Sequence, residues 1–428
     1  MINRKISPII SPLTKFNLPT IEVRNSVAND IKYHYINCTN EFVRIDVHFY
    51  AGKAYQNHFL VSTFTNALLR EGTKFHSSRE IAENLDYYGA WLKTSSSIEK
   101  ASLTLYSLKK FLPHTLPILN EVMKYPSFPE NEFETLKKQR KQSYLLSLEK
   151  VEELSDRQFN KELYGNQSKY SAVAELEDYE KIRIDWIKDF FEKYYTSSPC
   201  DVFVMGNLTS DEQKQIEEMF KLYQSSSETL QDSPLYQFSP QQAKEVFIEK
   251  KDSVQSAINI GKILFSRKHP DFHKFSLLNT VLGGYFGSRL MSNIREKKGY
   301  TYGINSFIYT HAEIGHFQIG TQTANEYVKP VLKEIQFEIQ RLCNDLIPDD
   351  ELSIVKNYMT GSLARTLDGD LSKTNLYISL NNYGLDIKEY VSDRLDAINN
   401  TTSEELRTLA QNYLGKERLH QVVVGKNI

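Results

Sequence analysis

Apolar and polar residues alternate from position 43 to position 49. Val43, Ile45, Val47 and Phe49 fall on one side of the chain, Arg44, Asp46 and His48 on the other. A period of two predicts a half-buried β-strand, one face in a core and one toward solvent. Ala101, Leu103 and Leu105 make a second such run, and Phe317 and Ile319 are its counterpart far downstream. Between the strands the spacing lengthens, which predicts helices over about 58–70 and 78–88. Longer helices are predicted over about 130–154 and 349–367. Each starts just after an apolar–proline pair, Phe128-Pro129 and Ile347-Pro348, a common helix-start signal. Short apolar runs from Asp201 to Met205 and from Gln421 to Val424, each leading to a glycine, predict a closing strand in each part of the chain.

The same elements come twice. With Pro129 set on Pro348, an offset of 219 (348 − 129), Glu132 meets Glu351, Leu136 meets Val355 and Lys137 meets Lys356. At the same offset Ile187 meets Leu406, Phe190 meets Leu409, Tyr194 meets Tyr413 and Gly206 meets Gly425. Upstream the offset is 213 (330 − 117), where Pro117-Ile118-Leu119 meets Pro330-Val331-Leu332 and Glu121 meets Glu334. A few extra residues in the second copy account for the change. A period this long is not that of a solenoid repeat; it is a duplicated domain. Strands grouped with several helices, rather than strictly alternating with them, predict an α+β fold. The expected architecture is two homologous domains, each a mostly antiparallel sheet packed with helices. The first is expected over 1–223 and the second over 243–428. Residues 224–242 hold Ser225-Ser226-Ser227, Ser233-Pro234 and Ser239-Pro240, and are expected to be the linker.

Composition narrows the function classes. Of 428 residues, 40% are hydrophobic and 25% charged, enough apolar material for large cores. The formal net charge of −2 gives no strong field toward nucleic acid or an anionic membrane, so neither is expected as a partner. Cys38, Cys200 and Cys343 are far apart and odd in number, which argues against a disulfide framework and a cysteine metal site. The stretch from Met1 to Thr20 carries Arg4, Lys5 and Lys15, is broken by Pro8, Pro12 and Pro19, and has no long apolar core like that of a signal peptide. No run approaches the roughly 18 apolar residues a membrane helix needs. A cytoplasmic setting is expected.

Several motifs belong together. The first half has Phe49-Tyr50-Ala51-Gly52, then Phe59 through Glu71-Gly72-Thr73, Glu80-Ile81-Ala82 and Tyr88-Gly89-Ala90. The second has Leu282-Gly283-Gly284, Ser288-Arg289-Leu290, Ile294-Arg295-Glu296 and Gly299-Tyr300-Thr301-Tyr302-Gly303. Together they resemble the pitrilysin/insulinase-type metallopeptidases in their two-domain form, over nearly the whole chain. In that family a helix carries the inverted zinc motif H-x-x-E-H, two histidines on one helical face with a glutamate that activates water. Registered on Gly72-Thr73, the five positions here are Thr63, Phe64, Thr65, Asn66 and Ala67. Thr63 and Ala67 replace the histidines, and Asn66 replaces the glutamate. The family's third ligand is a glutamate on the later long helix, yet no Asp or Glu lies between Glu134 and Glu149. The resemblance therefore implies a degenerate zinc motif and no cofactor in this chain.

Other histidines do not rebuild a site in the sequence. His269 and His273 have the spacing, but Pro270 and Asp271 lie between them, and a polar helix start is the favoured reading. His311 and His316 read as strand-end or loop residues, and the sequence gives His76 and His114 no partner. Gly283, Gly284 and Gly287 are not a phosphate loop, since no Gly-Lys-Ser/Thr follows, and read as backbone geometry.

Arg295 and Tyr302 do match the family's pattern. There an Arg and a Tyr reach the substrate from the domain facing the zinc. A guanidinium and a phenolic O–H can hydrogen-bond the oxygen of an attacked peptide carbonyl. The resemblance implies a non-catalytic subunit whose partner is a homologous zinc-bearing chain, in a heterodimer or heterotetramer. Flexible peptides would be its substrates and zinc would be expected in the partner. The alternatives are an inactive homodimeric scaffold and a peptide-binding module without peptidase activity.

Overall fold

The computed structural model describes residues 15–25, 31–165, 168–171, 173–196, 200–220, 242–415 and 418–427. The first half contributes strands β1 (Ile21–Asn25), β2 (Lys32–Ile36), β3 (Phe42–Phe49), β4 (Trp91–Ser96), β5 (Ala101–Leu108) and β6 (Cys200–Met205). Its helices are α1 (Val61–Leu68), α2 (Ser78–Tyr87), α3 (Leu112–Lys124), α4 (Glu130–Ser147), α5 (Val151–Tyr164), α6 (Leu176–Lys181), α7 (Ile184–Phe191) and α8 (Ser210–Met219). The second half adds β7 (Glu245–Glu249), β8 (Gln255–Phe265), β9 (Thr301–Thr310), β10 (Ile314–Ala324) and β11 (His420–Gly425). With them come α9 (Phe272–Leu282), α10 (Val328–Asn344), α11 (Asp349–Thr366), α12 (Asp370–Asn382), α13 (Ile387–Asn400) and α14 (Ser403–Ala410).

The strands form two sheets, ordered β1-β2-β6-β3-β5-β4 and β7-β11-β8-β10-β9. Neighbours are antiparallel except for one parallel pair in each, β2 with β6 and β7 with β11. The α+β expectation with two like domains holds. So does the offset of 219: it carries Glu130 and Ser147, the ends of α4, onto Asp349 and Thr366, the ends of α11. It also carries the start of α5 onto that of α12, and α7 onto α14. Upstream, the starts of α3 and α10 lie 216 apart (328 − 112). The linker expected over 224–242 falls, except for Gln242, outside the described residues.

Two expectations need correction, for one reason. The helix predicted over about 130–154 is two helices, broken at Leu148-Glu149-Lys150. After the break α5 leaves its own half and lies on the second sheet, where Val151, Phe159 and Leu163 join Ala257, Val422 and Val424 in one cluster. α12 does the reverse, packing Tyr377 and Ile378 with Ile36, Phe203 and Met205 of the first sheet. Each apolar side chain buried this way is worth ~1.5–3 kcal/mol, whereas helix propensity differs by only a few tenths per residue. The tertiary term decides where the helix ends.

The same exchange overturns the half-buried reading of β3. Its polar face lies under α12, so Arg44, Asp46 and His48 are buried along with the apolar face. Arg44 Nη2 donates to Asp46 Oδ1 (2.8 Å) and Nη1 to Asn375 Oδ1 of α12 (2.6 Å). Thr104 Oγ1 donates to the same Asp46 oxygen (2.8 Å). Burial lowers the pKa of His48 to about 4, so it is neutral near pH 7. Among the described residues no helix is long and apolar enough to cross a membrane.

Candidate functional site

The helix that would carry a zinc motif is α1. Thr63 Oγ1 donates to the Leu60 carbonyl (2.9 Å) and Thr65 Oγ1 to that of Val61 (2.8 Å). Asn66, only 2% exposed, donates Nδ2 to the Ser102 carbonyl of β5 (3.2 Å) and meets the phenol of Tyr195. Ala67 brings no donor atom. α4 faces α1 through rings, Phe133 on Phe64 with centroids 6.1 Å apart. The helix position is therefore filled by bonds and packing internal to the chain, and these residues do not fit a metal ion. Among the described residues no group of three or more His, Cys, Asp or Glu could hold one.

The remaining histidines have other work. His76 pairs with Glu121 (2.9 Å), and His114 stacks on Tyr88. His269 lies before α9, stacked on Phe265, and its Nδ1 accepts the Asp271 N–H (3.1 Å). His273 lies within α9 against Tyr390. His316 pairs with the Tyr164 hydroxyl of α5 (2.7 Å), and His311 packs on Tyr170.

The offset of 213 places Ser276, Asn279 and Thr280 of α9 where α1 has Thr63, Asn66 and Ala67. Asn279 Nδ2 donates to the Ser306 carbonyl (3.2 Å), as Asn66 does to that of Ser102. Both copies of the helix thus use an asparagine to tie themselves to a strand.

The other site follows α9. Gly283 accepts the Ser306 N–H (3.0 Å), and a Cβ on it would come within 2.7 Å of that nitrogen. Glycine is required by this close approach of the α9 end to β9. Arg289, buried, makes a two-pronged ion pair with Glu351 of α11 (2.8 and 2.9 Å) and pins the segment. A π-helical stretch, Met291–Lys297, carries Arg295. Lys298 and Asn293 tie it to Glu334 of α10 (2.6 and 3.0 Å). Gly299, at φ 65°, turns the chain back so that β9 begins beside it.

This turn brings Arg295 and Tyr302 together. The Arg295 Cζ lies 5.7 Å from the Tyr302 ring centroid and 4.7 Å from that of Phe286. Tyr302 is 92% exposed and Phe286 60%. Among the described residues the guanidinium has neither a hydrogen-bond nor an ion-pair partner, so its donors are available. A cation held over two aromatic faces keeps its direction at little cost, each contact worth about 0.5–1 kcal/mol when exposed. Phe286 escaped the sequence reading; an aromatic set between Tyr285 and Gly287 in a glycine-rich turn was the only signal of it.

Beside Tyr302 a groove of about 410 Å³ crosses the second sheet. Phe307 and Tyr309 of β9 line one side, Glu152 and Asp156 of α5 the other. Asp156 accepts from Asn259 (2.8 Å) and Gln318 (3.1 Å); burial raises its pKa, against those two donors. Polar groups on a sheet face with aromatic neighbours suit an extended peptide.

Both halves of the chain resemble known proteins. The model of insulinase (peptidase family M16) matches residues 35–175, and that of the peptidase M16 inactive domain matches residues 181–359. The chain belongs to the M16 peptidase family. A Bacillus subtilis (strain 168) M16 relative, the uncharacterized zinc protease YmxG, is 26% identical over 314 residues, 73% of this chain and 76% of that one. The Helicobacter pylori protein described as a non-peptidase homolog YmxG is 26% identical over 302 residues, 69% of this chain and 68% of its own. A Pseudomonas fluorescens crystal structure of a peptidase M16 inactive domain superposes with a TM-score of 0.86 at 23% identity, covering 95% of this chain and 98% of that one. A Helicobacter pylori protease matches with a TM-score of 0.86 at 17% identity, covering 96% and 100%. These two show the shared M16 fold. Within that fold Thr63, Asn66 and Ala67 of α1 offer no set of metal ligands.

Proposed function

We propose that this M16 chain is the non-catalytic subunit of a heteromeric zinc peptidase. In this reading Arg295 and Tyr302 grip the backbone of a flexible peptide, and a homologous partner chain carries zinc, its ligands and the general base. The reading is carried by one observation: an arginine and a tyrosine held together, with Tyr302 92% exposed and its hydroxyl without a hydrogen-bond partner among the described residues. Attack on a peptide carbonyl puts negative charge on its oxygen. A fixed guanidinium and a phenolic O–H can each donate to that oxygen or to the backbone next to it. The pair would act in trans, across the interface of a heterodimer or heterotetramer, in the cytoplasm.

A second reading has its own support. The likeness to a relative described as a non-peptidase homolog, together with the groove beside Tyr302, suits a module that holds peptides without cutting them. An inactive homodimeric scaffold would leave the exposed pair without use.

The test is to purify this chain, a zinc-bearing M16 homologue from the same genome, and their mixture, and to assay peptide cleavage and bound metal in each. The expected result is cleavage by the mixture, with the metal on the homologue. Tyr302→Phe should lower turnover by the mixture roughly a hundredfold, the usual cost of one oxyanion donor, with a smaller effect on peptide affinity. Unchanged turnover would remove Tyr302 from the role. A chain that carries stoichiometric metal and cuts peptides alone would end the proposal.

A further inference from the structure

On the far side of β9 from the groove lies a second cavity, of about 290 Å³, at the end of α9. It occupies, in the second half, the neighbourhood of the helix that duplicates α1. Two of its walls are arginines, Arg267 before α9 and Arg394 on α13, and among the described residues no Asp or Glu lines it. Arg267 is partly committed, donating Nε to Thr310 Oγ1 (3.1 Å) and Nη1 to Ser379 Oγ (3.3 Å). Arg394 has no hydrogen-bond or ion-pair partner among the described residues, and its Nε is buried. Two guanidinium groups without a carboxylate make a positive concavity. Burial first, and then the charges of Arg394 and Arg267, lower the pKa of neighbouring His273 to about 4.

Two further features narrow the ligand. Asn279 lines the cavity, and its Nδ2 is fixed on the Ser306 carbonyl, which leaves Oδ1 buried and unpartnered. A buried acceptor without a donor destabilises the fold until something supplies an N–H. Phe272, Ile308 and Tyr390 give the rest of the wall an apolar surface. The matching ligand carries a carboxylate, an N–H close by and an apolar group. That is the last residue of a peptide with a free C-terminus.

The strand edge agrees. On its outer side the Ser306 N–H and carbonyl are taken by Gly283 and Asn279, and the Thr310 carbonyl accepts from the Tyr383 hydroxyl (2.8 Å). A peptide cannot run along β9 as an added strand there; only an end can enter.

We propose that this cavity binds the free C-terminal carboxylate of a peptide through Arg394 and Arg267, with Asn279 Oδ1 accepting the terminal amide N–H. It rests on the reading that the chain handles peptides, and extends that reading with a second, anchoring site apart from Arg295 and Tyr302. Arg394 and Asn279 are anchoring residues here and touch no reacting atom.

The test uses the isolated full chain and a fluorescently labelled peptide ending in Leu, with a free or an amidated C-terminus, followed by polarisation. The free acid should bind at least tenfold more tightly than the amide, and Arg394→Gln should remove that preference. The comparison of the two peptides on the unaltered chain needs no variant to fold. Equal binding of acid and amide, or no binding by either, overturns the proposal. So does a preference that survives Arg394→Gln but vanishes in Arg295→Ala, which would put the carboxylate on Arg295. Inorganic phosphate displacing the acid at matching concentration would make the cavity a general oxyanion site and equally overturn it. No partner chain is involved, so failure here leaves the cleavage experiment standing, and the reverse.

Discussion

The two sheets are covered alike and furnished differently. Each has a helix of the other half across one face, and residues 219 apart meet the polar groups of that face: Asn375 of α12 on the first sheet, Asp156 of α5 on the second. On the first sheet the charges belong to the strand, Arg44 with Asp46, and the helix offers a neutral amide. On the second sheet the charge belongs to the helix, and the strands offer the amides of Asn259 and Gln318. The first arrangement closes on itself, with its ion pair out of solvent. The second stays open beside the groove that runs to Tyr302. One duplicated frame thus carries a sealed polar layer in one copy and an accessible one in the other.

The largest break in that comparison is Arg44→Ala. It leaves Asp46, 2% exposed, with the Thr104 hydroxyl as its one side-chain hydrogen-bond donor among the described residues, in place of a guanidinium. Removing one member of a buried pair costs about 3–5 kcal/mol, because the remaining charge is stranded. The urea midpoint should fall accordingly. A loss below about 1 kcal/mol would mean that water reaches this layer, and the contrast between sealed and open faces would fail.

Next in size is the contrast between α1 and the turn at Arg295. Asn66→Glu puts a carboxyl where Asn66 donates to the Ser102 carbonyl. It should cost about 2–3 kcal/mol, limited because the new side chain can stay protonated. Tyr302→Phe, on a side chain almost wholly in solvent, should leave stability within about 0.5 kcal/mol. Thermal melts of both variants check this directly. Equal losses would show that Tyr302 has a structural job after all, and would weaken its assignment to a substrate.

Much of this was legible in the sequence, and what was not has a common cause. The starts of α4 and α11 were legible, and the offset of 219 relates the two helices residue for residue, because local signals such as Pro129 and Pro348 recur with the duplication. That Arg295 and Tyr302 come together was readable from the glycine between them, and the chain around them is local: a glycine turn at Gly299 and a short π-helical stretch. The helix break at Leu148-Glu149-Lys150 was not readable, since it contains neither proline nor glycine. It is set by what α5 packs on, more than a hundred positions away at Ala257 and Val422. The burial of Arg44, Asp46 and His48 was hidden for the same reason. Alternation in β3 reports two kinds of residue on two faces, but only α12 decides that neither face meets water. Phe286 was missed because its partner Arg295 is found only once the turn has formed.

The smallest effect bears on the open face. Burial raises the pKa of Asp156, although Asn259 and Gln318 both donate to it. A carboxyl whose folded pKa lies above its unfolded one favours the folded state most when protonated. Its contribution is full below the ordinary carboxylate value and is lost as pH rises through the raised folded value. Asp156→Asn keeps an acceptor for the two amides and removes the titration. The melting temperature of the variant minus that of the original chain should therefore be greater at pH 7 than at pH 4, by a few tenths of a degree, roughly what a few tenths of a kcal/mol gives in a chain this long. The sign matters more than the size. If the difference is the same at both pH values, Asp156 is solvated as an ordinary surface acid, and its amides are held by the sheet alone. If it is smaller at pH 7, the two donors outweigh burial, and the open face stabilises charge as firmly as the sealed one.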